Sequence, residues 1–178
     1  AVSVTWKPFM IDAATQAGGE EYGAYCRRRW GGDGWTRSLR AKGRAVGAPF
    51  ADWKIWPNTL HAHRLMRLAG ANTAKADELK SALFKACYEQ GKNVSDIEQL
   101  VAIGVECGLS SAEELRAYLQ SEEGAREVLG ECRQASQGGV GGVPYFLVDG
   151  DAVERPYGFS GAVGAEQLVE LFTEVSGS

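Results

Sequence analysis

The stretch GVGGVPYFLVDG, residues 139–150, puts Pro144 directly before a short apolar run of strand character. Proline has no N–H to donate to a β-ladder, so sheets tolerate it at edges, bulges and strand entrances. Pro144 therefore marks the entrance of a strand over Tyr145–Val148, reached through a glycine-rich turn. A second short strand follows over Tyr157–Ser160, with Gly150–Pro156 as the turn between them. A helix over Ala165–Val175 closes the chain, with Leu168, Leu171 and Phe172 facing inward.

Upstream the pattern is different. Val2–Trp6 alternates apolar and polar residues and predicts a strand that Pro8 ends. Helical spacing then dominates. Helices are expected over Glu20–Trp30, which GGDG breaks, and over Trp35–Val46. Pro57-Asn58 opens a helix to Ala69 with Asn58 as N-cap. Ala74–Gln90 is expected as one helix, stopped by Gly91. Ser95 with Glu98, and Ser111 with Glu114, read as capping boxes of two further helices. Ser121–Gln137 completes the block. Strands at both ends around a helical middle predict one α/β domain with a helical insertion.

Composition narrows the function classes. The 178 residues carry 44% hydrophobic and 24% charged side chains, as ordinary globular chains do. Net charge is −4, so nothing global points to nucleic acid. Arg27, Arg28, Arg29, Arg37, Arg40, Lys42 and Arg44 form an early basic segment, and residues 96–131 are acidic. Two solvated helix faces would account for this, and so would a docking surface for an anionic partner. No run of about 18 apolar residues exists, so no membrane span is expected. The chain begins AVSVTWKPF, without a methionine or a signal-peptide pattern, so its native start is expected elsewhere. The compartment stays open between organelle and cytoplasm.

The four cysteines, Cys26, Cys87, Cys107 and Cys132, are 61, 20 and 25 residues apart. None forms CxxC or a zinc-type pair. Three sit in helical patterns as small apolar residues. Cys26 stands beside three arginines in YCRRRW. Cations near a thiol lower its pKa, which makes Cys26 the one reactive-thiol candidate. His61 and His63 point about 200° apart on a helix and cannot easily share a metal. Trp30, Trp35, Trp53 and Trp56 cluster around an irregular region, as core and loop packing or as a lid over an apolar groove. GVGGVP lacks the preceding strand that a nucleotide-binding glycine motif needs.

The pieces VTWKPFMID, PNTLHAHRL, ALFKACYEQGKNVSDIEQLVAIGVECGL, GVGGVPYFLVDG and YGFSGAVGAEQLVELF, in this order, resemble the DsbA-like thioredoxin superfamily, in particular its FrnE-type branch. The resemblance implies an α/β thioredoxin-like fold with a large helical insertion. Residues 1–178 would be one domain, with 1–12 and 139–178 as the thioredoxin part and 19–138 as the insertion. It implies a cis Val143–Pro144 peptide facing a redox centre. Val143, Pro144, Tyr145 and Asn58 would then be the substrate-binding residues, with backbone groups at 143 pairing with an extended substrate.

The family's first strand and CxxC-bearing helix have no counterpart in these residues. No catalytic pair is therefore present, and redox activity by this chain alone is not expected. In the family the first strand is central, between the strand matched by Val2–Trp6 and the hairpin matched by Tyr145–Ser160. Leaving that slot open would cost about 1–3 kcal/mol for each buried orphan backbone group. The expected partners are accordingly protein thiols or disulfides, or a subunit that supplies the missing strand. No metal or cofactor is expected for an oxidoreductase of this kind. The alternatives are a non-enzymatic binding or structural subunit on the same fold, and a glutathione-dependent isomerase-like relative.

Overall fold

The computed structural model describes residues 2–71 and 73–177. Its core lies in the helical block. Strand β1 (Glu20–Glu21) pairs antiparallel with β2 (Ile55–Trp56) in a two-residue ladder; β1 takes the first two residues of the helix expected from Glu20, and β2 lies in the irregular aromatic segment. Helix α1 (Tyr22–Trp30) starts one step later, with the Glu21 carboxylate accepting from the Gly23 and Ala24 amides. Helix α2 (Thr36–Ala45) follows the glycine-rich break. Helices α3 (Leu60–Ala69), α4 (Ala74–Phe84), α5 (Ile97–Glu106), α6 (Ala112–Gln120) and α7 (Ala125–Gln137) complete the block.

Helix α3 is the hub, packed against α4, α5, α6 and α7. Its Leu65 belongs to one buried cluster with Leu79, Leu83, Leu100, Leu115 and Leu119, which also takes in Tyr25, Trp53 and Trp56. A smaller cluster of Met10, Val128 and Cys132 seats the N-terminal segment on α7. On the same helix as Leu65, Arg64 is 1% exposed. Its guanidinium donates to the carbonyls of Tyr118, Leu119, Ser121 and Glu123 at 2.6–2.9 Å, capping the C-terminal end of α6.

The helix expected over Ala74–Gln90 changes character at its end. After Phe84 a π-helical turn runs over Lys85–Glu89, closed by the Gln90 amide on the Lys85 carbonyl. The turn presents the Glu89 carboxylate to the amides of Phe50 and Ala51, at 2.8 and 3.0 Å. Such turns often carry a specific local task. Here it is the fixing of the aromatic segment before β2.

The strand expected over Val2–Trp6 is not formed among the described residues. The segment is pinned at one end instead. The Trp6 amide donates to the Ala71 carbonyl at 2.8 Å, its indole N–H donates to Asp77, and Lys80 lies over its ring. Alternation specifies faces, but a strand also needs a neighbour, and no described strand lies beside this one.

After α7 the chain forms strands β3 (Tyr145–Val148) and β4 (Tyr157–Ser160), then helix α8 (Ala165–Ser176). Both strand spans coincide with those the sequence predicts. The hairpin register pairs Tyr145 with Ser160, Phe146 with Phe159, Leu147 with Gly158 and Val148 with Tyr157. Phe146 and Phe159 stack at 4.9 Å between ring centres, on the face shared with buried Val148. Helix α8 is held there by Tyr157 Oη donating to Glu174 and by Ala152 N–H donating to the Val175 carbonyl.

Candidate functional site

The loop from α7 to β3 is built from the helix end outward. Gly138 caps α7, and Gly139 adopts a φ of +92°, which turns the chain out of the helix at little steric cost. The Val140 amide closes back on the Ala135 carbonyl at 3.0 Å. A Cβ at Gly141 or Gly142 would meet nothing within 4 Å, so the approach to Pro144 stands open. The Val143–Pro144 peptide is cis, and Val143 is 50% exposed. The Pro144 carbonyl is taken by the Gly161 amide at 2.8 Å, which fixes the loop to the end of β4.

Strand β3 is paired on one side only. β4 satisfies that side, and among the described residues no strand bonds to the other. The two faces of the hairpin also differ. Phe146, Val148 and Phe159 face α8, whereas Leu147, on the opposite face, is 71% exposed. Tyr145 shares that opposite face and lies over Gly158, where a Cβ would come within 2.6 Å of the phenol oxygen. A free strand edge, an exposed leucine and an open loop thus meet within six residues, 143–148. The chemistry available is backbone hydrogen bonding to an extended chain, with an apolar surface for its side chains.

Asn58 does not join this cluster by any hydrogen bond. Its Nδ2 donates to the Thr15 carbonyl at 2.9 Å, and its Oδ1 accepts from the Leu60 amide at 3.1 Å. Its own amide donates to Ser95 Oγ at 2.8 Å. Asn58 therefore ties the N-terminal loop, the start of α3 and the approach to α5 together. The formal cap of α3 is Thr59, whose side chain makes no capping bond.

The thiol candidate changes most. Cys26 is 1% exposed, and burial raises its pKa above the ordinary thiol value. The adjacent arginines are near in sequence but point to solvent: Arg28 pairs with Glu20 at 2.7 Å and Arg27 with Glu21 at 3.9 Å. A cation lowers a thiol pKa only when the two share a poorly screened environment, and these do not. Cys87, Cys107 and Cys132 are also buried and free. Burial pushes the Cys87 thiol up to about 12 and raises the other two. No thiol here is poised as a nucleophile.

The histidines are packed rather than metal-directed. His63 Nε2 lies 3.2 Å from the Phe9 carbonyl, and His61 Nδ1 accepts from Arg64 at 2.8 Å. Among the described residues no group of three His, Cys, Asp or Glu side chains could hold a metal ion. Nor is any helix long and apolar enough to cross a membrane.

Comparison with known proteins gives the family and the fold. Residues 1–173 match the family described as a DSBA-like thioredoxin domain. Among solved structures, the chain is similar to a probable DsbA oxidoreductase from Streptomyces coelicolor. The two share 27% identity and superpose with a TM-score of 0.77, over 94% of this chain and 72% of that one. A comparison with curated proteins found no match.

Proposed function

Because the chain belongs to the DsbA-like thioredoxin family, we propose that it is the substrate-facing part of a thiol–disulfide oxidoreductase. In this reading an extended polypeptide lies along residues 143–148. A CxxC-bearing segment that the 178 residues do not contain carries the redox step. One thiolate of that pair attacks a substrate disulfide and forms a mixed disulfide, releasing the substrate's other sulfur as a thiolate. The second thiolate then displaces the substrate, and the pair leaves as a disulfide. The contribution of this chain is placement, through the free edge of β3 and the open glycine approach to Val143.

The observation that carries the reading is the one-sided pairing of β3 next to exposed Val143 and Leu147. The burial of all four thiols favours a second reading on the same fold, a binding subunit without redox chemistry. A CxxC encoded upstream of Ala1 would decide for the first reading, and an upstream segment without one for the second.

Insulin reduction tests the division of labour. The 178-residue chain and a variant with all four cysteines changed to alanine should show the same background turnover. A rate typical of a CxxC enzyme, lost in Cys26→Ala, would refute the proposal and make Cys26 the nucleophile.

A further inference from the structure

Residues 22–46 hold seven of the chain's Lys and Arg residues and one acid, Asp33, while the chain as a whole is acidic. The structure spends some of these cations. Arg27 and Arg28 pair with Glu21 and Glu20, and Arg40 donates to Thr36 and to the Phe50 carbonyl. Arg29, Arg37, Lys42 and Arg44 are exposed, and no described residue forms an ion pair or hydrogen bond with their head groups.

Helix α2 touches the protein along one narrow stripe. Thr36 and Gly43 are its buried residues, and Gly43 is small because the Ala48 carbonyl and the Phe50 ring close over it. Trp35, Leu39, Lys42 and Val46 follow one another at helical spacing beside that stripe. The apolar ones are exposed, Trp35 by 45% and Val46 by 78%. Arg37 and Arg44 lie one helical week of seven residues apart on the other flank. Trp35 and exposed Trp30 meet edge to face at 4.9 Å over a shallow, mostly apolar hollow formed with Gly31, Gly32 and Gly34.

We propose that α2 and the Trp30–Trp35 loop dock on an anionic lipid surface. The charge is complementary, since four unpartnered cations face outward from a chain whose remainder is strongly acidic. That asymmetry orients the molecule toward a negative surface. Tryptophan and short aliphatic side chains in one row with Lys42, on a helix whose other flank carries Arg37 and Arg44, suit the boundary between headgroups and acyl chains. A nucleic-acid strand fits less well. It needs open ring faces for stacking, whereas Trp30 is packed against Tyr25, Trp35 and Trp56, and Leu39 and Val46 offer no stacking surface. The proposal stands independently of the redox reading.

Co-sedimentation of the 178-residue chain with vesicles tests it. Binding is expected to vesicles of phosphatidylcholine mixed with phosphatidylglycerol and not to phosphatidylcholine alone. It should weaken with added salt and shift tryptophan emission to the blue. At about 1 kcal/mol per cation, Arg37→Gln with Arg44→Gln should weaken binding roughly 30-fold. Leu39→Ser with Val46→Ser should weaken it roughly tenfold. All four positions are exposed, so unchanged circular dichroism is expected in both variants. No binding, equal binding to both vesicles, or insensitivity to both double variants would overturn the proposal. So would tighter binding to a single-stranded oligonucleotide or to polyglutamate, which would assign the patch to that partner class.

Discussion

Replacing Arg64 by methionine probes the joint between α3 and α6. The guanidinium is 1% exposed and meets four main-chain carbonyls, at 2.6, 2.8, 2.8 and 2.9 Å, with no carboxylate partner. Its plane also lies over the Tyr118 ring, 5.0 Å from the centroid. Methionine preserves much of the stem packing but makes none of the hydrogen bonds. Each carbonyl left dry costs about 1–3 kcal/mol, and those nearest the surface recover part of this from water. Two orphaned acceptors with the lost ring contact give a destabilisation of about 3–5 kcal/mol, in the range found on removing one partner of a buried ionic group. Set against a net stability of about 5–15 kcal/mol, that is a large fraction. At roughly 2–4 °C per kcal/mol for a chain of this size, the melting temperature should fall by about 6–20 °C. Arg64→Lys should recover only part of the loss, because one ammonium cannot serve four carbonyls in a fork. Arg67→Met is the control. Its ion pair with Glu131 at 2.8 Å is solvent-exposed and should change stability by less than about 1 kcal/mol. Chemical denaturation followed by circular dichroism measures all three. If Arg64→Met falls within about 1 kcal/mol of the parent, the carbonyl cluster is not what holds α6 to α3.

Acid should weaken the fold before any carboxylate titrates. His61 and His63 are both held below the ordinary imidazole value, in each case chiefly by burial. The unfolded chain therefore binds protons first as pH falls below about 6.5, and stability should drop between pH 7 and 5. His63→Gln should flatten that slope in a denaturation series across the range. Gly43→Ala should destabilise despite alanine's higher helix propensity, by about 1–3 kcal/mol. Its Cβ would press on the Ala48 carbonyl and the Phe50 ring, and backbone cannot swing aside as a side-chain tip can. Ellman's reagent should label no thiol rapidly in native buffer and all four in denaturant, since each is buried and raised in pKa. Rapid native labelling of Cys26 would contradict its placement.

The hairpin and the helix after it were legible because their signals are local. A proline at a strand entrance, a turn and a matched apolar pair specify β3 and β4 without help from distant residues. The Ser111–Glu114 box was legible for the same reason and is formed in full. Ser95 shows the limit. The spacing to Glu98 is right, yet Asp96 caps α5 through the Gln99 amide, and Ser95 Oγ is occupied by the Asn58 amide. Two neighbouring residues could each cap, and a contact 37 positions away settled the choice. Cys26 failed differently. Sequence places arginines beside it, but helical geometry sends them outward while the thiol turns into the core. Arg64 falls at helical spacing with Leu60, Leu65 and Leu68 in the sequence, but that spacing names no partner for its guanidinium. Only the fold brings the end of α6 to it. Of the residues expected to bind substrate, Val143, Pro144 and Tyr145 are brought together by mere adjacency. Asn58 came from resemblance, and its hydrogen bonds are spent on holding loops together.

The account turns on whether residues 143–148 accept an extended chain. Hydrogen–deuterium exchange of the 178-residue protein, with and without an excess of S-carboxymethylated insulin B chain, measures this without any redox step. Exchange should slow at residues 143–148 on addition of the peptide, remain unchanged in α5 and α6, and stay fast at the strand when Leu147→Asp is tested at the same concentration. Leu147 is exposed, so that variant should keep the fold. Protection that appears elsewhere and leaves β3 unchanged, or β3 amides already as protected as α5 in the free protein, would contradict the assignment of this edge as the substrate-facing site.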